Sequence, residues 1–219
     1  MPVPSKERRT FLESARKTYQ EALTEDAFAV DYLTTTRGLS WDSVTYFRLG
    51  VVGDPLPGHE AYKGMLAIPY IAPNGDTLSI RFRNLRDNGP KYLTLPGDKP
   101  RPYNTAAIER YTSAMWITEG EIDSITLHEV GVPAIGIPGA NTWRNDWALI
   151  FKPYQEVLIP VDGDDAGHKF GRGIAEQLEN ARVIDMGTYI DDNGEERSHD
   201  VNSFFVMHGQ EALLRKVGA

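Results

Sequence analysis

Two short acidic clusters, each set between an apolar run and a helical pattern, constrain this chain more than any other feature. Met115-Trp116-Ile117-Thr118 reads as a buried strand and is followed by Glu119-Gly120. Val157-Leu158-Ile159-Pro160-Val161 reads as another and is followed by Asp162-Gly163-Asp164-Asp165-Ala166-Gly167. In an open parallel sheet, the residues just beyond the carboxyl ends of the strands line the ligand crevice, which places Glu119, Asp162 and Asp164 where they can converge. Carboxylates gathered in this way raise one another's pKa unless a divalent cation shares them. A set of hard oxygen donors suits Mg²⁺ or Mn²⁺.

Simpler readings of the same residues exist. Asp-Gly is a common turn, and an Asp ahead of a helix often does no more than cap its free N–H groups. A calcium loop of the EF-hand type starting at Asp162 would need a bidentate Glu at its twelfth position, where Gly173 stands. No Walker lysine motif or Gly-x-Gly-x-x-Gly is present, and His128-Glu129 lacks the second histidine of a zinc-protease helix.

From Met115 onward, strands and helices alternate: strand 115–118, helix 121–130 closed by Gly131, strand 134–137, helix near 144–151, strand 157–161, helix 167–180 and strand 182–186. Phe170, Ile174 and Leu178 recur at i, i+4 and i+8, so the helix beside Asp164 lays one apolar stripe on the sheet. The fold class is α/β with a mainly parallel sheet flanked by helices. The half before it reads as α+β. Phe11, Ala15 and Thr18-Tyr19 mark one face of a first helix, a second covers 26–33, Gly38 closes it, and Ser40 caps a third over 41–47. Runs at 65–70 and 77–83 read as strands of a hairpin turned at Asn74-Gly75, and loops follow at 88–90 and 96–100. The break between the two parts lies near 105–114, giving domains 1–110 and 111–219.

Charge divides along the same line. The net charge of −8 hides 15 Lys/Arg against 13 Asp/Glu in 1–110, and 8 against 18 in 111–219. Arg81, Arg83, Arg86, Lys91, Lys99 and Arg101 fall close together against only Asp87 and Asp98. Such a run is either a solvated face or, beside a metal site, a phosphate track. No apolar run approaches the ~20 residues that span a bilayer, and no signal-peptide core is present. Zero cysteines exclude disulfides and Cys-ligated zinc. A cytoplasmic enzyme without membrane partners is the expectation.

The ordered pair, Glu119-Gly120 before a helix and Asp162-Gly163-Asp164 after a later strand, resembles the TOPRIM domain of bacterial DnaG-type primases, topoisomerases and some nucleases. Asp200, ahead of an apolar pair, resembles the third acid cluster of the primases, with Asn202 standing where the family has a second Asp. In the first half, Tyr32-Leu33, Arg37-Gly38-Leu39-Ser40, Phe47-Arg48-Leu49-Gly50, Ile68-Pro69, Gly75, Arg83, Pro90-Lys91-Tyr92-Leu93 and Tyr103-Asn104 resemble the primase polymerase core. Met65 replaces an arginine of that family, and the family's zinc ribbon and helicase-binding module have no counterpart.

The resemblance implies a compact, phage- or plasmid-like primase core that makes RNA primers from ribonucleoside triphosphates on single-stranded DNA. It implies two or more Mg²⁺ or Mn²⁺ ions and no zinc, held by Glu119, Asp162, Asp164 and Asp200, with Glu119 as ligand or general base. Arg81, Arg83, Lys91 and Lys99 would contact template or nucleotide, and a helicase or separate zinc-ribbon protein would be the partner. A TOPRIM nuclease using the same carboxylates and a non-catalytic DNA-binding accessory subunit are the alternatives.

Overall fold

The computed structural model describes residues 3–86, 88–110, 112–139 and 142–219. Asp87, within the basic run, and Tyr111, at the sequence break, lie outside the described residues. The chain divides into two compact units, Met1–Lys99 and Pro100–Ala219.

In the first unit, Ser5 opens α1 (Lys6–Leu23) by accepting from the Arg8 amide. Leu12, Ala15, Tyr19 and Leu23 form its buried face. Phe11, expected on that stripe, lies at its exposed margin. Asp26 caps α2 (Ala27–Asp31), which continues as a wider π turn over Tyr32–Thr36. The chain then reverses through Gly38 at φ 64°, a backbone state that suits glycine. Ser40 caps α3 (Trp41–Tyr46) as expected.

An antiparallel sheet follows in the order β1 (Gly50–Val51), β2 (Leu66–Ile71), β3 (Thr77–Arg83) and β4 (Tyr92–Thr94). The expected hairpin is β2–β3, with Ile68 opposite Arg81. β1 and β4 are too short to carry an alternating pattern and were not legible in the sequence. α1 covers the sheet, and Leu12, Tyr19, Val52, Tyr62, Met65, Ile80 and Phe82 pack between them. Met65, where the resembling family carries arginine, is therefore a core residue.

The second unit is a parallel sheet between two helical layers. β5 (Ala114–Thr118), α4 (Glu121–Glu129) and β6 (Ala134–Gly136) are followed by a 3₁₀ turn and the short α5 (Ala148–Phe151). β7 (Glu156–Val161), α6 (Asp165–Ala175) and β8 (Ala181–Asp185) complete the sheet, whose order is β6-β5-β7-β8. Alternation along the strands separates two cores. Met115, Ile117, Val157, Ile159 and Val161 face Phe151, Phe170, Ile174 and Leu178. Trp116, Leu158 and Ile184 face Leu127, Val201, Leu213 and Val217.

α6 begins two residues earlier and ends five residues earlier than its apolar period suggests. Leu178 stays in the core because the chain continues in i→i+3 turns, with Leu178 N–H donating to the Ala175 carbonyl. Beyond the sheet, β9 (Thr188–Ile190) and β10 (Glu196–Ser198) form an antiparallel hairpin around the expected turn at 191–194. α7 (Val201–His208) and α8 (Gln210–Val217) close the unit.

Candidate functional site

β5 and β7 are neighbours in the middle of the sheet, and the chain leaves β5 outward to β6 and β7 outward to β8. The crevice of such a sheet opens where the strand order diverges, between the ends of β5 and β7. Their register aligns Trp116 with Leu158. Carried forward, it sets Gly120 level with Asp162 on strands ~4.8 Å apart. Glu119 and Asp162 thus leave adjacent strands side by side, each half-buried.

Close backbone packing holds this end of the sheet. A Cβ on Gly167 would lie 2.5 Å from the Asp162 carbonyl oxygen, and one on Gly163 would lie 2.0 Å from that of Gly187. Glycine at both positions lets α6 and the β8–β9 turn close on the acidic segment. The Gly163 amide donates to the His199 carbonyl at 3.1 Å, and the His199 amide donates to Gly187 at 2.8 Å, which brings the start of α7 and its Asp200 to the same end of the sheet.

Each acid has structural duties as well. Asp164 is exposed, and its Oδ1 accepts from the Gly167 amide at 2.8 Å, so it is the N-cap of α6. Asp200 accepts from the Ser203 amide at 2.6 Å, while the Ser203 hydroxyl accepts from the Asp200 amide, a reciprocal capping box. The capping reading of these two aspartates is therefore correct as far as it goes. Each keeps a second oxygen without a hydrogen bond among the described residues. Asp162 is not the capping residue of α6.

Asn202 is buried. Its side-chain amide donates to Thr126 Oγ1 at 2.8 Å, and its backbone amide donates to Asp123 Oδ1 at 3.1 Å, tying α7 to α4. A carboxylate could not make the first of these bonds, so Asn202 acts as a pin between helices. Asp123, one helical turn beyond Glu119, and the fully buried Glu121 belong to the same helix start and were not singled out in the sequence. Their signal was the i, i+2, i+4 spacing of acids through Glu119, Glu121 and Asp123. His199 lies behind Asp200, with burial and the neighbouring His208 holding its pKa below the usual imidazole value.

Among the described residues, no three carboxylate or imidazole groups stand close enough to share a metal ion as the side chains lie. The donor chemistry fits a hard divalent cation, since Glu119, Asp162, Asp164 and Asp200 offer only oxygens at one end of the sheet. Binding would require those side chains to draw together.

In the first unit, the basic run is heterogeneous. Lys91 and Lys99 are exposed. Arg81 and Arg83 alternate along β3 on one face, paired with Thr94 and Tyr92 of β4. The Arg81 guanidinium lies 4.2 Å from the Tyr92 ring centre, and that of Arg83 lies 5.1 Å from Tyr92 and 5.6 Å from Tyr32. Arg83 also donates to the Tyr92 hydroxyl and is only 8% exposed. Arg37 stacks on Tyr32 at 5.1 Å and donates to its hydroxyl at 2.9 Å. A freely solvated strand face does not describe Arg81 and Arg83. Arg101, grouped with them in sequence, belongs to the second unit and is buried there.

Residues 116–205 match the family model described as Toprim-like. The Gene 57 protein of Mycobacterium phage D29 is 46% identical over 160 residues, covering 71% of this chain and 99% of that protein. The chain belongs to that phage family. Bacterial DNA primases, that of Buchnera aphidicola among them, match this phage-family chain at 23–28% identity, and it spans 20–32% of their length. The Aquifex aeolicus primase structure, with zinc-binding and RNA polymerase domains, aligns with a TM-score of 0.77 at 21% identity, covering 98% of this chain and 62% of that one. A DnaG primase catalytic domain bound to single-stranded DNA aligns with a TM-score of 0.73 at 18% identity, covering 96% and 77%. The phage-family chain thus has the fold of the DnaG-type primase catalytic core, with its acid clusters inside the Toprim-like region. No helix is long and apolar enough to cross a membrane among the described residues.

Proposed function

We propose that this chain is a primase catalytic core that joins ribonucleotides into short RNA primers on a single-stranded DNA template in the cytoplasm. What supports the reading is the primase-core fold, in which Glu119 and Asp162 follow neighbouring parallel strands, Asp164 starts the adjoining helix and backbone hydrogen bonds bring the segment of Asp200 to the same end of the sheet. These four residues would hold Mg²⁺ or Mn²⁺. Bound there, such ions supply charge neutralisation for a triphosphate and its departing pyrophosphate.

The protein's own groups divide the remaining work. Glu119 either joins the ligand set or accepts the proton of the attacking 3′-hydroxyl. Lys91 and Lys99, exposed and cationic, suit template or triphosphate oxygens, while Arg81 and Arg83, both packed on Tyr92, add fixed positive charge behind them, with the buried Arg83 acting through its field and its hold on Tyr92. A replicative helicase or a separately encoded zinc-ribbon protein would supply start-site selection.

The test combines the chain with labelled ribonucleoside triphosphates, mixed-sequence single-stranded DNA and Mg²⁺ or Mn²⁺, and looks for short RNA. Asp162→Asn and Asp164→Asn should each lower synthesis roughly 100-fold or more while the fold persists. Cleavage of the DNA without any RNA product would replace the primase reading with a nuclease. DNA binding with no metal-dependent product would replace it with an accessory subunit.

A further inference from the structure

Guanidinium groups stacked on aromatic rings occur about once per 70–80 residues in folded proteins. The first unit holds five such pairs among its described residues, and they form a series. Arg81 and Arg83 stack on Tyr92, Arg83 and Arg37 on Tyr32, and Arg86 lies 5.5 Å from the Phe28 ring centre. Phe28 and Tyr32 are four residues apart, on α2 and the turn that extends it, so one helical face carries both rings.

Burial changes sharply along the series. Arg83 is inside, whereas Phe28 is 53% exposed and Arg86 is exposed as well. Phe28 is not part of the apolar cluster that α1 forms with the sheet. On either side, Asn84 Oδ1 accepts from the Arg86 amide at 2.9 Å, and Asn84 Nδ2 donates to Asn88 Oδ1 at 3.0 Å. A planar cation and an aromatic face are thus held together at the surface. Lys91, also exposed, lies on the β3–β4 connection that carries Arg86.

Unpaired nucleobases bind proteins by stacking on such faces, with cations tracking the backbone, and the stacking is largely independent of base identity. We infer that Phe28 and Arg86 form a base-stacking platform for single-stranded nucleic acid, with Lys91 neutralising phosphate. The inference deepens the primase reading by naming where unpaired template bases rest, and it assigns Phe28, which no motif singled out.

Fluorescence anisotropy of the full chain with a labelled oligothymidine, and with an abasic oligonucleotide of equal length, tests the platform at two salt concentrations. Phe28→Ala should weaken oligothymidine binding by about 5- to 100-fold. It should leave abasic binding and the salt dependence unchanged, and Phe28→Trp should restore affinity. Lys91→Ala should do the reverse, weakening both ligands and flattening the salt dependence. Wild-type binding of both ligands by Phe28→Ala, or parallel loss of both, overturns the platform and leaves the primase reading standing. Base-dependent binding that requires Phe28, in a chain that makes no primer, overturns the primase reading and leaves the platform.

Discussion

His59 illustrates how a single polar residue can be built into a core. It is buried among the rings of Phe11, Tyr62 and Phe82, with Nδ1 2.8 Å from the Tyr19 hydroxyl. Burial lowers its pKa and Arg8 adds to the effect, while Glu60 opposes it. In the unfolded chain a histidine titrates near ~6.5. The unfolded state therefore takes up a proton that the native state refuses, and stability falls as pH drops below about 6.5 until the lowered native pKa is passed. Denaturant midpoints measured from pH 7.5 to 5 should decline in wild type and decline less in His59→Asn. His128 and His199, also lowered by burial, leave a residual slope of the same sign. Residue-level legibility was uneven. The positions of Glu119 and Asp162 followed from strand-ending patterns, but the roles of Asn202 and Tyr32 depend on partners 76 and 51 residues away along the chain, Thr126 and Arg83, which no local pattern encodes.

α6 shows the same division at the scale of an element. Gly163, Gly167 and Gly171 recur every four residues, and a Cβ on Gly171 would lie 2.6 Å from Val161 Cγ1. The helix rests directly on the strand end that carries Asp162. Gly173, on the same helix, has open space where a Cβ would sit. Gly167→Ala should therefore destabilise by about 1–3 kcal/mol through overpacking, whereas Gly173→Ala should stabilise by up to about 1 kcal/mol through helix propensity. Thermal melts of the two variants check both signs. The apolar period at Phe170 and Ile174 made α6 legible, but its true start depended on the Asp164 cap. The β9–β10 hairpin escaped because each strand is three residues long and no apolar face is buried along it, so only its turn, where Asp191 accepts from the amides of Asn193 and Glu195, left a trace in the sequence.

At the scale of the whole molecule, each unit has an apolar core of its own among the described residues. Residues 100–110 join the second unit through pairings remote in sequence: the Tyr103 amide donates to Gly136 at 2.7 Å, and Asn104 donates to the Ala134 carbonyl at 2.8 Å. The change of local pattern that puts the break near 105–114, between domains 1–110 and 111–219, does not register them. A fragment of residues 100–219 should accordingly unfold in one cooperative transition. Mn²⁺ near 100 times its dissociation constant should raise its stability by about 2.7 kcal/mol, and Asp162→Asn should abolish that rise. Calorimetry of the fragment reads this without any assay of primer synthesis. The same architecture governs how the acidic end survives without a cation. Every acid cluster precedes a helix: Glu119 precedes α4, Asp164 caps α6 and Asp200 caps α7. A helix start carries roughly half a positive charge from its aligned peptide dipoles. Each carboxylate thus has a counter-charge from the helix that it precedes, so the acidic residues at these helix starts are balanced by the fold itself.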